Sequence, residues 1–277
     1  MPARGLGCLP DPPKGPGEKA DFDSSLRLSL DGPVPERSDN GDLIVEVLNQ
    51  GKLGSCTANA TMQAIRASHV LQWKALGLPG VPPLGSRLWL YFLARALNGE
   101  TAVDAGTFLR CCFQVLNENG FCPESAWPYS DAGNAWHTIP NLSARREAAD
   151  QRAHGDVTGD SFAYFRIYED GDARLERVKR ALGSRQLVVF GMNVSDEFVN
   201  NDFGTQPVDP SVGHLAGGHA LCAVDHDGDY VRGVNSWGPD WAEKGFFRMT
   251  PEAVQKWRDI WIVKAPPLYS GLLRGAA

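Results

Sequence analysis

The hydrophobic pattern of this chain changes its period once, and that change constrains the fold more than any other feature of the sequence. Apolar residues follow a helical spacing in the first half, whereas the second half holds short β-rich runs separated by turns such as Asp227-Gly228. Helices followed by strands, without an internal repeat, are typical of an α+β architecture with a cleft between two unlike lobes. The predicted helices cover residues 56–74, 86–97, 105–119, 143–152 and 175–182, and the predicted strands cover residues 187–194, 219–224, 230–235, 245–249 and 260–264.

The first forty residues differ from the rest of the chain. Residues 1–40 are rich in Gly, Pro and charge and show no sustained period, which predicts an extended N-terminal arm and not a domain. Residues 41–277 are predicted to form one folded unit. Its helical lobe covers about residues 41–150 and its β-rich lobe about residues 155–265.

Composition excludes several classes of protein. The 277 residues carry a formal net charge of -6, and a general nucleic-acid binder would instead show a basic face. No stretch approaches the ~20 apolar residues of a membrane span, and the N-terminus lacks the apolar run of a Sec-type signal peptide. We therefore expect a soluble protein with no nucleic-acid or membrane partner, either cytoplasmic or exported by a specialised secretion route.

The six cysteines do not indicate a disulfide scaffold or a metal site. They are too sparse for a scaffold, and no CxxC pairs with a second CxxC or with an HxxxH. Cys112 and Cys122 could form a local bridge in an oxidising compartment, but reduced thiols are the preferred interpretation. A metalloenzyme is disfavoured because its candidate ligands lack compact spacing; these are His214, His219, His226, Asp225 and Asp227.

Cys56 opens the first predicted helix, directly after Ser55, a candidate helix cap. A thiol at this position feels the positive end of the helix dipole, which stabilises the thiolate and lowers the pKa. The free N–H groups of the first turn can also bind a developing oxyanion. A buried, unreactive cysteine is the alternative, and Cys56 taken alone favours it.

His219 and Asn235 begin and end a predicted β-hairpin. Gly217 and Gly218 precede the histidine and leave room for a ligand or another backbone to pass close by. Pairing of the two strands can bring Asn235 beside His219, where it would fix the tautomer and orientation of the imidazole. Trp237 could then cover the bond and exclude water. In isolation, a surface histidine, a turn asparagine and a core tryptophan are the simpler interpretations.

Four segments, in the right order, resemble the papain family of cysteine proteases. NSWGPDWAEKGFFR, residues 235–248, is similar to the family's NSWG-x-x-W-x-x-x-G-[FY]-x-[KR] motif and is the most specific match. Cys-His-Asn is the papain variant of the catalytic triad. The other segments are NQGKLGSCTANA at 49–60, ESAWPY at 124–129 and GGHAL at 217–221, so the similarity covers about residues 42–265.

The resemblance implies a papain-like two-lobe fold, with a helical N-terminal lobe, a β-barrel-like C-terminal lobe and the active site between them. It implies that Cys56 is the nucleophile, that His219 is its base, that Asn235 orients His219 and that Gln50 completes the oxyanion hole. Supporting positions would be Trp237, Ser55 and Gly218. The implied reaction is hydrolysis of a peptide bond through an acyl-thioester, with no cofactor, on a peptide or protein substrate, by a chain expected to act as a monomer.

The sequence departs from the family pattern in three respects. Thr57 follows the nucleophile where an aromatic residue is usual, and this SCTAN version resembles a bacterial branch of the family. The usual Cys-Gly-Gly disulfide motif is missing, with Leu53 in place of its cysteine. The long spacing from Cys56 to His219 implies inserted loops, which we expect at residues 77–86 and 131–160.

Several questions stay open at this point. The same triad could serve acyl transfer or deamidation of a protein side chain, or the scaffold could be an inactive binding module. Endopeptidase action is the default. Residues 192–194 are candidates to contribute to substrate preference. The segment before Gln50 is too short for a full inhibitory prodomain, so we hypothesise that residues 1–35 lie over or beside the cleft and modulate access.

Overall fold

The computed structural model describes residues 4–12, 30–158 and 162–266. Its N-terminal half is helical, as the periodicity predicts. None of the described helices has both the length and the apolar character that crossing a bilayer requires. The helices of this half are α1 (Cys56–Ala75), α2 (Arg87–Leu97), α3 (Leu109–Asn119) and α4 (Leu142–Thr158), with 3-10 turns at Gly41–Leu43 and Ala135–His137.

Two of these helices differ from the prediction. Helix α3 starts at Leu109 and not at residue 105, because the preceding residues form a short strand, β2 (Thr107–Phe108). This strand pairs in parallel with β1 (Cys8–Leu9) of the N-terminal arm, a partner that no local pattern reveals. Helix α4 is longer than the predicted 143–152, and it buries Ala144 and Ala148 in the core of the helical lobe.

The C-terminal half is built on one six-stranded antiparallel sheet. The strands are β3 (Ala163–Ile167), β4 (Val188–Ser195), β5 (Leu215–His226), β6 (Val231–Val234), β7 (Phe246–Met249) and β8 (Arg258–Lys264). Their order across the sheet is β3-β8-β4-β5-β6-β7. All five predicted strands are present, and β3 is an addition. Three helices accompany the sheet: α5 (Gly171–Gly183), α6 (Asp196–Asn200) and α7 (Pro251–Val254).

Helix α1 packs against the centre of this sheet through small side chains. Cys56, Ala60 and Ala64 are spaced four residues apart and therefore share one face of the helix. They belong to the same buried cluster as Ala220 and Cys222 of β5. Because none of these side chains is large, the helix can approach the strand closely, and its first residue lies at the junction of the two lobes.

Residues 30–40 are tied to the β-rich lobe. Leu30 is fully buried and belongs to the core cluster on the α5 face of the sheet. The Asn40 side chain is also fully buried. Its Nδ2 donates to the carbonyl oxygens of Leu182 and Val224 at 2.8 and 2.7 Å. One amide therefore joins α5 to strand β5, which carries His219.

Replacing Asn40 by Ala should destabilise the fold. Leu182 and Val224 would each lose the side-chain donor that their buried carbonyls share, at a cost of about 2–3 kcal/mol in the free energy of unfolding. Urea unfolding followed by far-UV circular dichroism measures the change. The exposed neighbour Arg37→Ala serves as the control and should stay within about 0.5 kcal/mol of the wild type. Equal midpoints for the two variants would contradict this assignment.

Candidate active site

Cys56 is the first residue of α1 and is fully buried. The N–H groups of Cys56, Thr57 and Ala220 are directed at its sulfur and favour the thiolate. Two of these groups come from the first turn of the helix, as the sequence predicts, and the third comes from the residue after His219. The close packing of α1 on β5 therefore brings the Cys56 thiol to the strand that carries His219.

Ser55 occupies the N-cap position, but its hydroxyl does not cap the helix. Its backbone is at φ -95° and ψ 20°, and not in the extended conformation from which a cap side chain reaches the N–H groups of the first turn. The hydroxyl instead lies 2.6 Å from the Tyr129 hydroxyl and accepts a bond of 3.1 Å from Asn59 Nδ2. The expected cap is therefore wrong in its contacts, and the free N–H groups of the first turn stay available to the site.

His219 and Asn235 are hydrogen-bonded to each other. His219 Nε2 lies 2.8 Å from Asn235 Oδ1, which also accepts the Ser236 N–H. The Trp237 ring stacks on the imidazole with a centroid distance of 4.5 Å and an interplanar angle of 21°. Since Asn235 Oδ1 accepts, Nε2 carries the proton and Nδ1 is the basic nitrogen of the neutral ring. Nδ1 is buried and has no hydrogen-bond partner in the described part of the chain.

Gln50 is fixed from three directions. Its backbone N–H donates to the Ser236 carbonyl at 2.8 Å, and its Oε1 accepts the Ser236 hydroxyl at 2.5 Å. Its Nε2 donates to the Leu53 carbonyl at 2.7 Å and to the Gly5 carbonyl at 3.1 Å. The side-chain amide therefore faces the cleft as a donor, and a carbonyl oxygen of the N-terminal arm occupies it.

Burial keeps both reacting groups neutral in this state. It raises the pKa of the Cys56 thiol to about 12, against the N–H groups that favour the thiolate. It lowers the pKa of His219 to about 4, and the bond to Asn235 only partly opposes that shift. With the arm in place, the pair is a thiol and a neutral imidazole at neutral pH.

The N-terminal arm runs through the cleft as an extended strand. The Gly5 N–H donates to the Gly51 carbonyl at 2.9 Å, and the Gly7 N–H donates to the Gly218 carbonyl at 3.0 Å. The Gly7 carbonyl in turn accepts the Thr107 N–H at 2.9 Å. The Gly7 N–H is also among the groups that act on the Cys56 thiol. Backbone from both lobes therefore holds the arm directly over the candidate nucleophile.

Comparison with known proteins shows the family of this chain. The model of the papain family cysteine proteases matches residues 98–259, more than half of the chain. The chain belongs to the papain family. The matched range contains His219 and Asn235 but starts after Gln50 and Cys56.

Individual relatives cover more of this papain-family chain. An uncharacterized peptidase C1-like protein of Acanthamoeba polyphaga mimivirus is 31% identical over 230 residues, which are 78% of this chain and 69% of that protein. Cathepsin B-like CP2 of Giardia intestinalis is 26% identical over 226 residues, with the same two coverages. The crystal structure of xylellain, a cysteine protease from Xylella fastidiosa, superposes with a TM-score of 0.75 at 26% identity and covers 96% of this chain and 98% of that one. The expected family, fold and bacterial likeness are therefore confirmed.

An ion pair between Arg87 and Glu124 supports residues 49–59, which contain the candidate nucleophile. It was not predicted from the sequence. Arg87 Nη1 donates to the Asn49 carbonyl at 3.2 Å and to Asn59 Oδ1 at 3.0 Å. The same guanidinium donates from Nε to Glu124 Oε2 at 3.0 Å. Its carbon lies 4.0 Å from the centroid of the Tyr129 ring. The ESAWPY segment was a signal for Glu124 and Tyr129. Arg87 gave none, because it lies within an almost entirely apolar helix.

The other histidines and cysteines that the sequence analysis considered are dispersed through the structure. His214 Nδ1 lies 2.7 Å from Asp196 Oδ2 on the exposed surface, whereas His219 is buried. Cys112 and Cys122 are free thiols. Within the described ranges, no three His, Cys, Asp or Glu side chains are grouped so that they could hold a metal ion.

The far end of the arm is fastened by a buried carboxylate. The Asp11 N–H donates to Asp259 Oδ2 at 2.9 Å, and Asp11 Oδ1 accepts the Arg110 N–H at 3.1 Å. Arg166 lies 3.4 Å from Asp11 and 2.5 Å from Asp259. The Asp11 side chain is completely buried. Burial and the Asp259 carboxylate raise the pKa of Asp11 to about 6, although Arg110 and Arg166 oppose the shift.

Gly7→Ala should expel the arm from the cleft. A Cβ at this position would lie 2.2 Å from the Gly54 carbonyl oxygen, and both partners are backbone, so neither can yield cheaply. A loss of about 2 kcal/mol in docking would raise the rate of Cys56 alkylation by iodoacetamide about thirtyfold. Peptide mass spectrometry of the alkylated chain measures this rate. Pro10→Ala, at an exposed position of the same arm, is the control, and equal rates for both variants would show that the arm does not shield the thiol.

Docking of the arm should weaken as the pH rises from about 4 to 6. Asp11 has its pKa raised to about 6 when docked, against about 3.9 when exposed, so loss of its proton opposes docking. The free energy of docking is weaker by up to about 3 kcal/mol once Asp11 is fully ionised, above about pH 6, than it is below about pH 4. Hydrogen exchange of the amides of residues 5–9, corrected for its intrinsic pH dependence, reports docking directly. Asp11→Asn should remove the dependence, and a wild-type profile as flat as that of this variant would contradict the role of Asp11.

Proposed function

We propose that this papain-family chain is a cysteine endopeptidase, with residues 41–277 as its catalytic domain and residues 1–40 as an N-terminal arm, of which residues 1–35 regulate access to the cleft. The observation that carries the proposal is the His219 ring beside the helix that begins at Cys56. Its Nε2 is held by Asn235, and its basic Nδ1 has no hydrogen-bond partner among the described residues. We expect a peptide or protein substrate, no cofactor and a monomeric enzyme.

The chemistry follows from which nitrogen is free. His219 Nδ1 removes the proton from Cys56, and the thiolate attacks the carbonyl carbon of the scissile bond. The oxyanion of the tetrahedral intermediate accepts hydrogen bonds from Gln50 Nε2 and the Cys56 N–H. Protonated Nδ1 then gives its proton to the leaving nitrogen, which leaves an acyl-thioester. Water, deprotonated by Nδ1, hydrolyses the thioester and restores the thiol.

The general acid also fixes the direction of a bound substrate. The leaving nitrogen must lie at His219, so the residues on the C-terminal side of the scissile bond lie towards the Trp237 ring that stacks on the imidazole. The residues on the N-terminal side then lie towards Thr107. The arm runs the other way, with Gly5 at Trp237 and Cys8 at Thr107.

This reversed direction explains how the arm can occupy the cleft without being cut. It presents the Gly7 N–H to Cys56, where a substrate would present a carbonyl carbon. The Gly5 carbonyl does reach the Gln50 amide, but this carbonyl lies on the leaving-group side of the site. The arm therefore acts as an inhibitor and not as a substrate.

The course of the arm supports internal cleavage. Residues 4–12 enter at the Trp237 end and leave past Thr107 and Phe108, with backbone hydrogen bonds on both sides of Cys56. A cleft that holds an extended segment on both sides of the nucleophile suits a chain passing through it, as an endopeptidase requires.

An epoxysuccinyl inhibitor and a protein substrate together test the proposal. We expect one stoichiometric adduct on Cys56 in the Gly7→Ala chain, with none on the buried control thiol Cys222, and new internal termini in casein. Cys56→Ala should abolish both results, lowering turnover by at least about 10³-fold. Scattered labelling would refute the assigned nucleophile. A modified side chain with an uncut backbone would indicate acyl transfer or deamidation instead.

A further inference from the structure

An arginine of the arm is seated at the Trp237 end of the cleft. Arg4 Nη1 donates to the Val199 carbonyl, and the guanidinium carbon lies 5.6 Å from the centroid of the Trp237 ring. A guanidinium at this distance is attracted to the face of an indole, and a carbonyl oxygen adds a directed acceptor. The arm therefore shows which kind of side chain this end of the cleft accepts.

The two groups that receive Arg4 belong to the body of the enzyme. Val199 lies on α6, and its carbonyl also accepts Trp241 Nε1 at 3.3 Å. Trp241 packs edge-on against Trp237 with a centroid distance of 5.2 Å. The acceptor and the aromatic face are thus linked through Trp241, by contacts that do not involve Arg4.

The charge of the adjoining wall favours a cation. The exposed residues Asp196, Glu197 and Asp202 lie on α6 and in the turn after it. No Lys or Arg occurs anywhere between Arg185 and Arg232 in the sequence. His214 pairs with Asp196, Asp209 is paired with Lys256 at 2.6 Å, and Arg248 donates to the Thr205 carbonyl. Glu197 and Asp202 form no ion pair with another described residue, so they contribute negative charge to this wall.

We propose that the space between Trp237 and the Val199 carbonyl is a subsite for a cationic side chain of the substrate, within two residues on the C-terminal side of the scissile bond. This inference rests on the proposed peptidase function for its position relative to the cleaved bond. Arg4 fills the subsite while the arm is docked, so the arm competes with substrates that carry Arg at the matching position.

Matched peptides test the subsite by turnover. Internally quenched peptides would carry Arg, citrulline or Glu at the first or the second residue after the scissile bond, and citrulline keeps the shape of Arg without its charge. With the Gly7→Ala chain, kcat/KM for Arg should exceed that for citrulline about tenfold at one of the two positions, with Glu lower still. The ratio should shrink at about 1 M salt. Equal values for Arg and citrulline at both positions would overturn the subsite.

Binding separates this inference from the function on which it rests. A synthetic peptide of residues 4–12 should bind the Gly7→Ala chain about tenfold more tightly than the same peptide with citrulline in place of Arg4, by calorimetry. A tenfold difference in a protein that cleaves no peptide would support the cation subsite and overturn the peptidase. Equal affinities would overturn the subsite whether or not peptides are cleaved.

In the intact chain, Arg4→Met keeps an unbranched side chain of about the length of the arginine stem and removes the guanidinium and its charge. This variant should raise the rate of Cys56 alkylation about tenfold, and Arg4→Lys should stay within about threefold of the wild type. Equal rates for Arg4→Met and wild type would show that the charge of Arg4 contributes nothing to docking and would contradict a cation site.

Discussion

The contact of helix α1 with strand β5 is the constraint on which the site depends. Small side chains at Cys56, Ala60 and Ala64 let the helix approach the sheet until the N–H of Ala220 faces the Cys56 sulfur. A larger residue on that face would separate the thiol from His219 however well each was held in its own lobe. The proposed catalytic pair of Cys56 and His219 is therefore specified by core packing between the lobes as much as by the identity of the two residues.

A second constraint is space for backbone. A Cβ on Gly54 or Gly106 would crowd the arm, and at Gly106 it would lie 2.0 Å from the Gly7 carbonyl oxygen. At Gly218 the same atom would lie 2.1 Å from the Cys8 carbonyl oxygen. Gly218, directly before His219, thus does what the sequence suggested and lets another backbone pass close by, whereas a Cβ on Gly217 would meet only the Leu6 side chain. An extended peptide meets the cleft through its main chain, so the ends of the cleft are left to discriminate between side chains.

The sequence predicted the family, the α+β fold and the segments that the structure brings together at the candidate site, because those depend on periodicity and on motifs read within a few residues. It failed where a distant partner decides the local structure. Residues 107–108 look helical by pattern but form a strand, because Cys8–Leu9 lies beside them. Ser55 has the right type for a cap, but Tyr129 and Asn59 take its hydroxyl. Arg87 sits in an apolar run and gave no local sign of its bond to Asn49. Composition suggested an arm near the cleft, yet it could not give the direction in which residues 4–12 run.

Because the arm runs from Trp237 to Thr107, it buries two titratable sites at different points along the cleft: the Cys56–His219 pair and Asp11. The two sites affect the pH dependence of docking differently. An exposed thiolate–imidazolium pair and a buried thiol with a neutral imidazole bind the same number of protons, since one proton only moves from His219 to Cys56. Linkage then requires that this step contribute nothing to the pH dependence of docking near neutrality. The arm excludes water from the pair without having to bury a charge, because the pair can neutralise itself.

Arg4 keeps its charge throughout the same pH range. Asp11, whose carboxylate is buried against Asp259, forms no such self-neutralising pair with another described residue, so its change of charge requires that a proton be exchanged with solvent. The pH response of the arm therefore resides at Asp11, at the other end of the arm from Arg4 and the proposed subsite, and it can change without altering the protonation of the proposed catalytic pair.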